Sequence, residues 1–329
     1  MHSTSRPATV AGALARAVVV ALLAVAGLAG VGTGLAAGAD AVPWTVRTAA
    51  NEFGSDRNNY SYTVDPGGRI EDGLVVANHG TTSLDLAVYS ADAFTTDAGQ
   101  LDLVTEDATS TGVGAWVDPS QDHLTIQPGQ SAEVPFTVTV PENATPGDHM
   151  GGIVTSLTQG GVERRVGIRM QLRVGGGLKP GLSVEGLGVH YSGTPNPFGK
   201  GDATTTYTIR NSGNVILSAR QAVSLSGPFG SWPVPSGQID DSPQLLPGET
   251  WQVSVPFRGV VSALQLTGTV TLVPLLTDAA GSTAPLPAAE NTTHAWAIPW
   301  GLFLLLAVMC VLVVAVLAFR RRQAKISPE

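Results

Sequence analysis

The chain of 329 residues carries 39 glycines and 22 prolines, only 13% charged residues and a formal net charge of −8. Such a composition favours turns and strands over solvated helices. The single cysteine, Cys310, lies in the apolar C-terminal segment, so no disulfide staples the rest of the chain and a catalytic thiol there is excluded.

At the N-terminus, Arg6 and Arg16 precede an apolar run from Ala17 to about Val31 that ends at Ala37-Gly38-Ala39. A basic start, a short apolar middle and an Ala-x-Ala close predict an export signal over residues 1–39, cleaved near Ala39 or Ala41. Beyond it the charge is uneven. From Asp40 to Gly160 three basic residues, Arg47, Arg57 and Arg69, stand against 17 carboxylates, whereas Gly161 to Ala295 holds nine basic and eight acidic residues. The acidic first half argues against a nucleic-acid partner, because such partners are held by Lys and Arg on phosphates. The carboxylates are read as keeping an exported surface soluble.

Strand patterns follow. Val134, Phe136, Val138 and Val140 alternate with Pro135, Thr137 and Thr139, a period of two that lays one apolar face on a core. Leu74 to Ala77, Leu84 to Tyr89, Leu124 to Ile126, Ile153 to Leu157 and Val166 to Val174 are similar, each bounded by Gly, Pro, Asn or Asp. Gly160-Gly161 predicts the turn of a hairpin between the last two. No window from Trp44 to Leu276 sustains a helical period. The expectation is an all-β fold of two tandem immunoglobulin-like β-sandwiches, residues 40–174 and 181–276, joined by a flexible linker over 175–180.

The second unit repeats the grammar of the first. Asn78-His79-Gly80 follows one strand and Asn211-Ser212-Gly213 another, with the small polar residues a turn demands. Pro128-Gly129 opens the strand holding Val134-Pro135-Phe136, and Pro247-Gly248 opens the strand holding Val255-Pro256-Phe257. Proline inside both strands predicts edges or bulges, since proline donates nothing to a ladder. Residues 277–297, rich in Ala, Thr, Gly and Pro, read as a juxtamembrane stalk.

Residues 298–319 read as a membrane helix. Trp300 to Phe319 has no charge and is about 20 residues long, the length a helix needs to cross the bilayer core. Arg320, Arg321, Arg322 and Lys325 follow directly, which predicts a cytoplasmic tail over 320–329 and an extracellular ectodomain, a single-pass arrangement in the cell membrane. No sortase motif precedes the helix, so the helix itself is the anchor.

Catalytic motifs are missing from the sequence. His79, His123, His149, His190 and His294 form no His-x-x-x-His or His-Glu-x-x-His pair, and no Gly-x-Ser-x-Gly elbow, phosphate loop or calcium loop occurs. No enzyme, cofactor or metal is expected. Asp92, Asp97, Asp102 and Asp107 recur every five residues, but odd spacing places neighbours on opposite faces of a strand. Three aromatics are candidates for stacking on sugar rings: Tyr60 and Tyr62, which share a strand face, and Trp116 before Asp118-Pro119. Core packing is the competing role for each.

The series Tyr62-Thr63-Val64-Asp65-Pro66-Gly67, Val75-Val76-Ala77-Asn78, Val88-Tyr89-Ser90-Ala91-Asp92-Ala93, Trp116-Val117, Val138-Thr139-Val140-Pro141 and Pro146-Gly147-Asp148-His149-Met150-Gly151-Gly152-Ile153 resembles the N-terminal, peptidoglycan-binding domain of the WxL-interacting proteins. The resemblance covers about Trp44 to Leu157. It implies a bacterial cell-surface protein whose first sandwich binds cell-wall peptidoglycan and which holds a secreted WxL-type partner at the wall. The second unit carries no motif of the family's host-binding domain. The competing expectation is a structural spacer or adhesin that presents a protein-binding surface without touching glycan.

Overall fold

The computed structural model describes residues 42–324 except 195, 197, 198 and 278–282; the predicted export signal over 1–39, and residues 325–329 of the predicted tail, lie outside the described residues. The fold is all-β, two immunoglobulin-like sandwiches followed by one apolar helix.

The first sandwich runs from β1 (Trp44–Thr48) through β2 (Tyr60–Val64), β3 (Arg69–Asn78), β4 (Leu84–Thr95), β5 (Leu101–Leu103), β6 (Val117–Pro119), β7 (His123–Ile126), β8 (Ser131–Thr139) and β9 (Gly147–Gln159) to β10 (Val162–Val174). One sheet has the order β1-β3-β8-β6. The other has the order β2-β10-β9-β4, with β5 and β7 both on β4. Alternation buries Val134, Phe136 and Val138 of β8 in one sheet, and Met170 and Leu172 of β10 and Ile153 of β9 are buried in the other. Trp44 ties the layers together, donating its indole N–H to Thr155 Oγ1 of the opposite sheet at 2.7 Å. The β9–β10 hairpin turns at Gly160 and Gly161, with φ of 60° and 78°, the left-handed pair that a two-residue hairpin loop requires.

The second sandwich comprises β11 (Leu182–Ser192), β12 (Gly201–Asn211), β13 (Leu217–Ser226), β14 (Val234–Pro235), β15 (Thr250–Val260), β16 (Leu264–Thr277), β17 (Thr283–Pro285) and β18 (Ala289–Ala297). Its sheets are β11-β12-β15 and β14-β13-β16, with β17 and β18 sharing the far edge of β16. Tyr207, Ile209, Leu217, Leu225, Phe257, Val270 and Leu272 fill the core. Pro256 lies in the edge strand β15. Pro135 lies in β8, which is paired on both sides, so that strand is not the edge its proline suggests; Pro135 sits one residue past the last β6–β8 pair, Pro119–Phe136, where its carbonyl accepts the Ser120 N–H at 2.8 Å and its missing N–H coincides with the end of the ladder.

Two expectations need correction. The described residues of the stretch 277–297, read as a stalk, are not one: Thr283–Pro285 pairs with Leu275–Thr277, and Ala289–Ala297 pairs with Leu264–Leu272. Its Thr292, Thr293 and Trp296 suit a strand, and the 14-residue β16 would otherwise expose a long open edge. Nor do residues 175–180 hang free as a flexible linker. Gly175 N–H donates to Val64 O at 2.9 Å, Lys179 N–H donates to Asn214 Oδ1 at 2.6 Å, and Asn214 Nδ2 donates to Gly177 O at 3.0 Å and Pro146 O at 2.8 Å.

The contact between the sandwiches is polar. Asp148, buried and held by Arg173 through bonds of 2.6 and 3.0 Å, accepts the Ile216 N–H at 3.1 Å, while its own N–H donates to Asn214 O at 2.8 Å. On the other flank Glu249 accepts from the Thr95 N–H at 2.8 Å and the Thr95 hydroxyl at 2.6 Å. Gly147 is required where it stands: its φ is +129°, and a Cβ there would lie 2.1 Å from Asn214 O.

Strand register gives the long axis. Asn211, Leu217 and Thr250, at one end of the second sandwich, adjoin these contacts with the first. Gly201, Ser226, Val260, Leu264 and Ala297 mark the other end. Two residues separate that end from the C-terminal helix Trp300–Ala324, whose stretch Trp300–Arg321 is long and apolar enough to cross a membrane.

Candidate functional site

Tyr60 and Tyr62 do not form a sugar platform. Both rings are buried, Tyr60 completely. They stack at 6.1 Å with Phe136 edge-on to Tyr60 at 5.0 Å. Their hydroxyls are spent inside the sandwich, Tyr60 on Gly73 O and Tyr62 on Asp72 Oδ2. The shared parity that suggested a platform is the parity of a core face.

Beneath them lies a buried charge. Asp72 accepts both guanidinium nitrogens of Arg57, at 2.7 and 3.0 Å, its carboxylate also taking the Tyr62 hydroxyl, the Asn51 side-chain amide and the Gly73 N–H at 2.7 Å. Burial pushes the Asp72 carboxyl up, but these hydrogen bonds outweigh it and hold the group below its ordinary value. Burial raises both tyrosines out of any physiological range. With every acceptor position of Asp72 filled, the cluster is structural.

Trp116 differs. It closes a helical turn, Val113–Trp116, keeps part of its surface exposed, and packs its ring against His149 at 4.7 Å. The turn is fixed by Asp92, whose carboxylate accepts the N–H groups of Thr111, Gly112 and Gly114 at 2.7 to 2.9 Å. Asp92 is thereby committed to its loop. Asp102, next but one in the five-residue series, lies 3.9 Å from Arg165 instead.

A groove that the sequence reading missed lies on the outer face of the six-stranded sheet. It measures about 510 Å³ and is lined by Gln100, Leu101, Asp102, Leu103, Val154, Arg165, Gly167 and Arg169. Glycines make it possible: a Cβ at Gly152 would lie 2.7 Å from Leu103 Cδ1, and one at Gly167 would lie 3.2 Å from it. Leu103 rests on this bare backbone and forms one wall. Arg165 is fixed by donating to Leu103 O at 3.1 Å. Arg169 is exposed and has no partner among the described residues. The signal was present in sequence. Arg165, Arg169 and Arg173 share a parity on β10 and so share a face, and a charge count cut at Gly160 separates them from the acidic sandwich to which they belong.

The closing motif Pro146 to Ile153 is accounted for by packing. Gly147 and Asp148 form the joint with the second sandwich, Gly151 admits Ala91 O and Val113, with a Cβ there only 2.6 Å from each, and Gly152 admits Leu103.

No protein-family model and no curated protein matches this chain. Solved structures similar to it include a family 123 glycoside hydrolase from Clostridium perfringens, at 13% identity and a TM-score of 0.29 over 40% of this chain and 27% of that one. A chaperone–tip adhesin complex of CFA/I fimbriae is similar at 8% identity and a TM-score of 0.37, over 77% of this chain and 99% of that one. The Pseudomonas aeruginosa CupB2 chaperone is similar at 11% identity and 0.31, over 74% and 99%. The chain thus spans about a quarter of the hydrolase chain, and at such TM-scores no activity of these proteins passes to this one.

Proposed function

We propose that the protein is a non-enzymatic, membrane-anchored surface protein that holds cell-wall peptidoglycan, or a secreted wall protein of the WxL type, through its first sandwich. The observation that carries this reading is the end-to-end order of helix, second sandwich and first sandwich. The second sandwich's strands of 10 to 14 residues stand the first sandwich about 35 Å or more from the helix at ~3.3 Å per residue. The groove with its unpartnered Arg169 and polar rim lies on that distal unit, where hydrogen-bonding and carboxylate-bearing wall components would meet it. Arginines after the helix favour a tail in the cytoplasm and both sandwiches outside. The resemblance of Tyr62 to Ile153 to the WxL-interacting proteins points to the same class.

The test is sedimentation of the detergent-solubilised full chain with purified peptidoglycan, at low and high salt. Binding is expected at both, weakened by Arg169→Ala or by Trp116→Ala and unaffected by Lys200→Ala on the second sandwich. Failure to sediment at any salt concentration removes direct glycan binding. The polar clamp between the sandwiches favours a second reading, a rigid spacer that meets the wall through a protein partner alone, and that outcome would select it.

A further inference from the structure

The end of the second sandwich next to the helix carries an apolar rim that no part of the described chain covers. Phe229, Trp232, Leu264, Trp296 and Trp300 are all exposed there, Phe229 fully and Trp296 by 74%. Register brings them together. Leu264 pairs with Ala297 and Gln265 with Trp296, so the start of β16 and the end of β18 coincide. The loop between β13 and β14 leaves the sheet at Ser226, opposite Thr267, and a Cβ on its Gly227 would touch both Trp232, at 3.0 Å, and Ala263, at 3.3 Å.

The backbone spends strain to make this rim. Phe229, Trp232 and Leu264 have φ of 57°, 49° and 65°, three of the four non-glycine residues with positive φ among the described residues. Bulky residues avoid that region, and where they occupy it the surrounding structure has a use for them. Here the loop holds its turn through Gly227 N–H to Ser231 O at 2.7 Å and Ser231 Oγ to Pro228 O at 2.7 Å, which leaves the rings facing outward. Water is a poor partner for five large apolar side chains in one rim.

We propose that this rim is seated in the outer interface of the bilayer that the C-terminal helix crosses, so that the second sandwich stands on the membrane rather than above it. Chain length dictates the occupant. Only Ile298 and Pro299 separate β18 from the helix, and Trp300 N–H donates back to Ile298 O at 3.0 Å. Two residues reach ~7 Å at full extension, so a helix that starts at the bilayer surface holds the end of the sandwich there. Tryptophan and phenylalanine belong at that depth, where one side of the ring is apolar and the other wet. Lys200 and Arg258 are exposed at the same end, with Asp202 as the acidic neighbour, and place cations at headgroup level. The inference rests on the membrane reading of the helix, and it adds a second, independent contact between protein and lipid that fixes the tilt of the ectodomain.

The experiment uses the full chain, one copy per nanodisc, and quenching of tryptophan fluorescence by lipids brominated in the upper acyl chain. Trp232, Trp296 and Trp300 are three of the six tryptophans and the ones at this end, so Trp232→Phe should remove roughly one third of the quenched emission, as expected for an interfacial ring. Trp116→Phe, on the distal sandwich, should remove none. Quenching that is unchanged by Trp232→Phe, while Trp300→Phe reduces it, overturns the seating of the rim and leaves the membrane helix standing. No quenching of any tryptophan overturns both. If iodide reaches Trp232 in discs with one copy and not in discs with two, the rim is an interface between copies and the proposal is likewise overturned.

Discussion

Asn78 in the first sandwich and Asn211 in the second are wired alike. Each side-chain amide donates to the carbonyl four residues on, Thr82 O at 2.9 Å or Val215 O at 2.8 Å, and to a distant segment, Ile126 O at the end of β7 or Leu245 O, both at 2.9 Å. Each carbonyl oxygen accepts the N–H two residues on, from Gly80 or Gly213. The main chain of each bonds both ways to the turn that opens the proline-bearing strand, Gly129-Gln130 in one case and Gly248-Glu249 in the other. Both asparagines are buried. The cores beneath differ. The first holds an ion pair, Arg57 with Asp72, whereas the second holds a neutral pair in which the Tyr207 hydroxyl donates to Gln221 Oε1 at 2.6 Å. Turn chemistry repeats because two chain segments crossing at a sheet end pose the same problem of buried carbonyls. A polar pair in a core answers no such general demand, so each sandwich has its own.

The sharpest way to break the comparison is to unfold one half. Val138 has no exposed surface, and Val138→Asp would bury an unpaired charge, at a cost of about 4 kcal/mol or more. Calorimetry of the full chain should lose the transition of the first sandwich and keep that of the second. Loss of both would show that the clamp through Asp148 and Glu249 makes one cooperative unit.

Next in size is Asp72→Ala. It leaves the half-buried Arg57 beside two tyrosines without its counter-charge, an effect of about 3 kcal/mol confined to the first sandwich in denaturant melts. The same group sets a pH response. Its folded-state carboxyl titrates below its ordinary value, so its contribution is present above the unfolded-state value and is lost as pH falls through the folded one. Acid titration should therefore separate the two transitions, the first sandwich moving ahead of the second, whose core pair Tyr207–Gln221 carries no carboxylate. Burial pushes the Tyr207 hydroxyl up to about 12, outside that acid window. Transitions that stay together between neutral and acid pH would deny Asp72 this role.

Both asparagine turns, the alternating strands, the Gly160-Gly161 hairpin and the apolar helix were legible in the sequence, because each is a local pattern whose spacing determines its geometry. The long-range features were not. Nothing near Tyr60 and Tyr62 announces that Asp72 and Arg57 meet beneath them, so two core rings looked like a platform. Residues 289–297 looked like a stalk because a strand on an open sheet edge needs little alternation, and its partner β16 ends 12 residues earlier. The groove was hidden for the same reason: its walls, Asp102 to Leu103 and Arg165 to Arg169, meet only after the sheet is assembled.

Asn78→Ala and Asn211→Ala probe the shared wiring directly. Each removes two donated bonds and strands a buried carbonyl, a loss of about 2–3 kcal/mol. The two values should agree within about 0.5 kcal/mol when each is read on its own sandwich's transition. A gap of several kcal/mol would mean that equal bonds carry unequal loads in the two frames.

The smallest effect belongs to the joint. Thr95→Val keeps the shape of the side chain and the Thr95 N–H bond to Glu249 but deletes the hydroxyl that reaches Glu249 Oε2 and, at 3.1 Å, Gln244 O. The cost is about 1 kcal/mol, too little to unfold either sandwich. It should appear as a broader distance distribution between spin labels on the two units and as melting transitions that move apart, since the clamp couples them. Labels that report an unchanged distance would assign the rigidity to the other flank, where Gly147 presses its backbone against Asn214 and Asp148 spans the gap to Ile216. In that case the side-chain contacts of Thr95 follow the orientation of the sandwiches and do not set it.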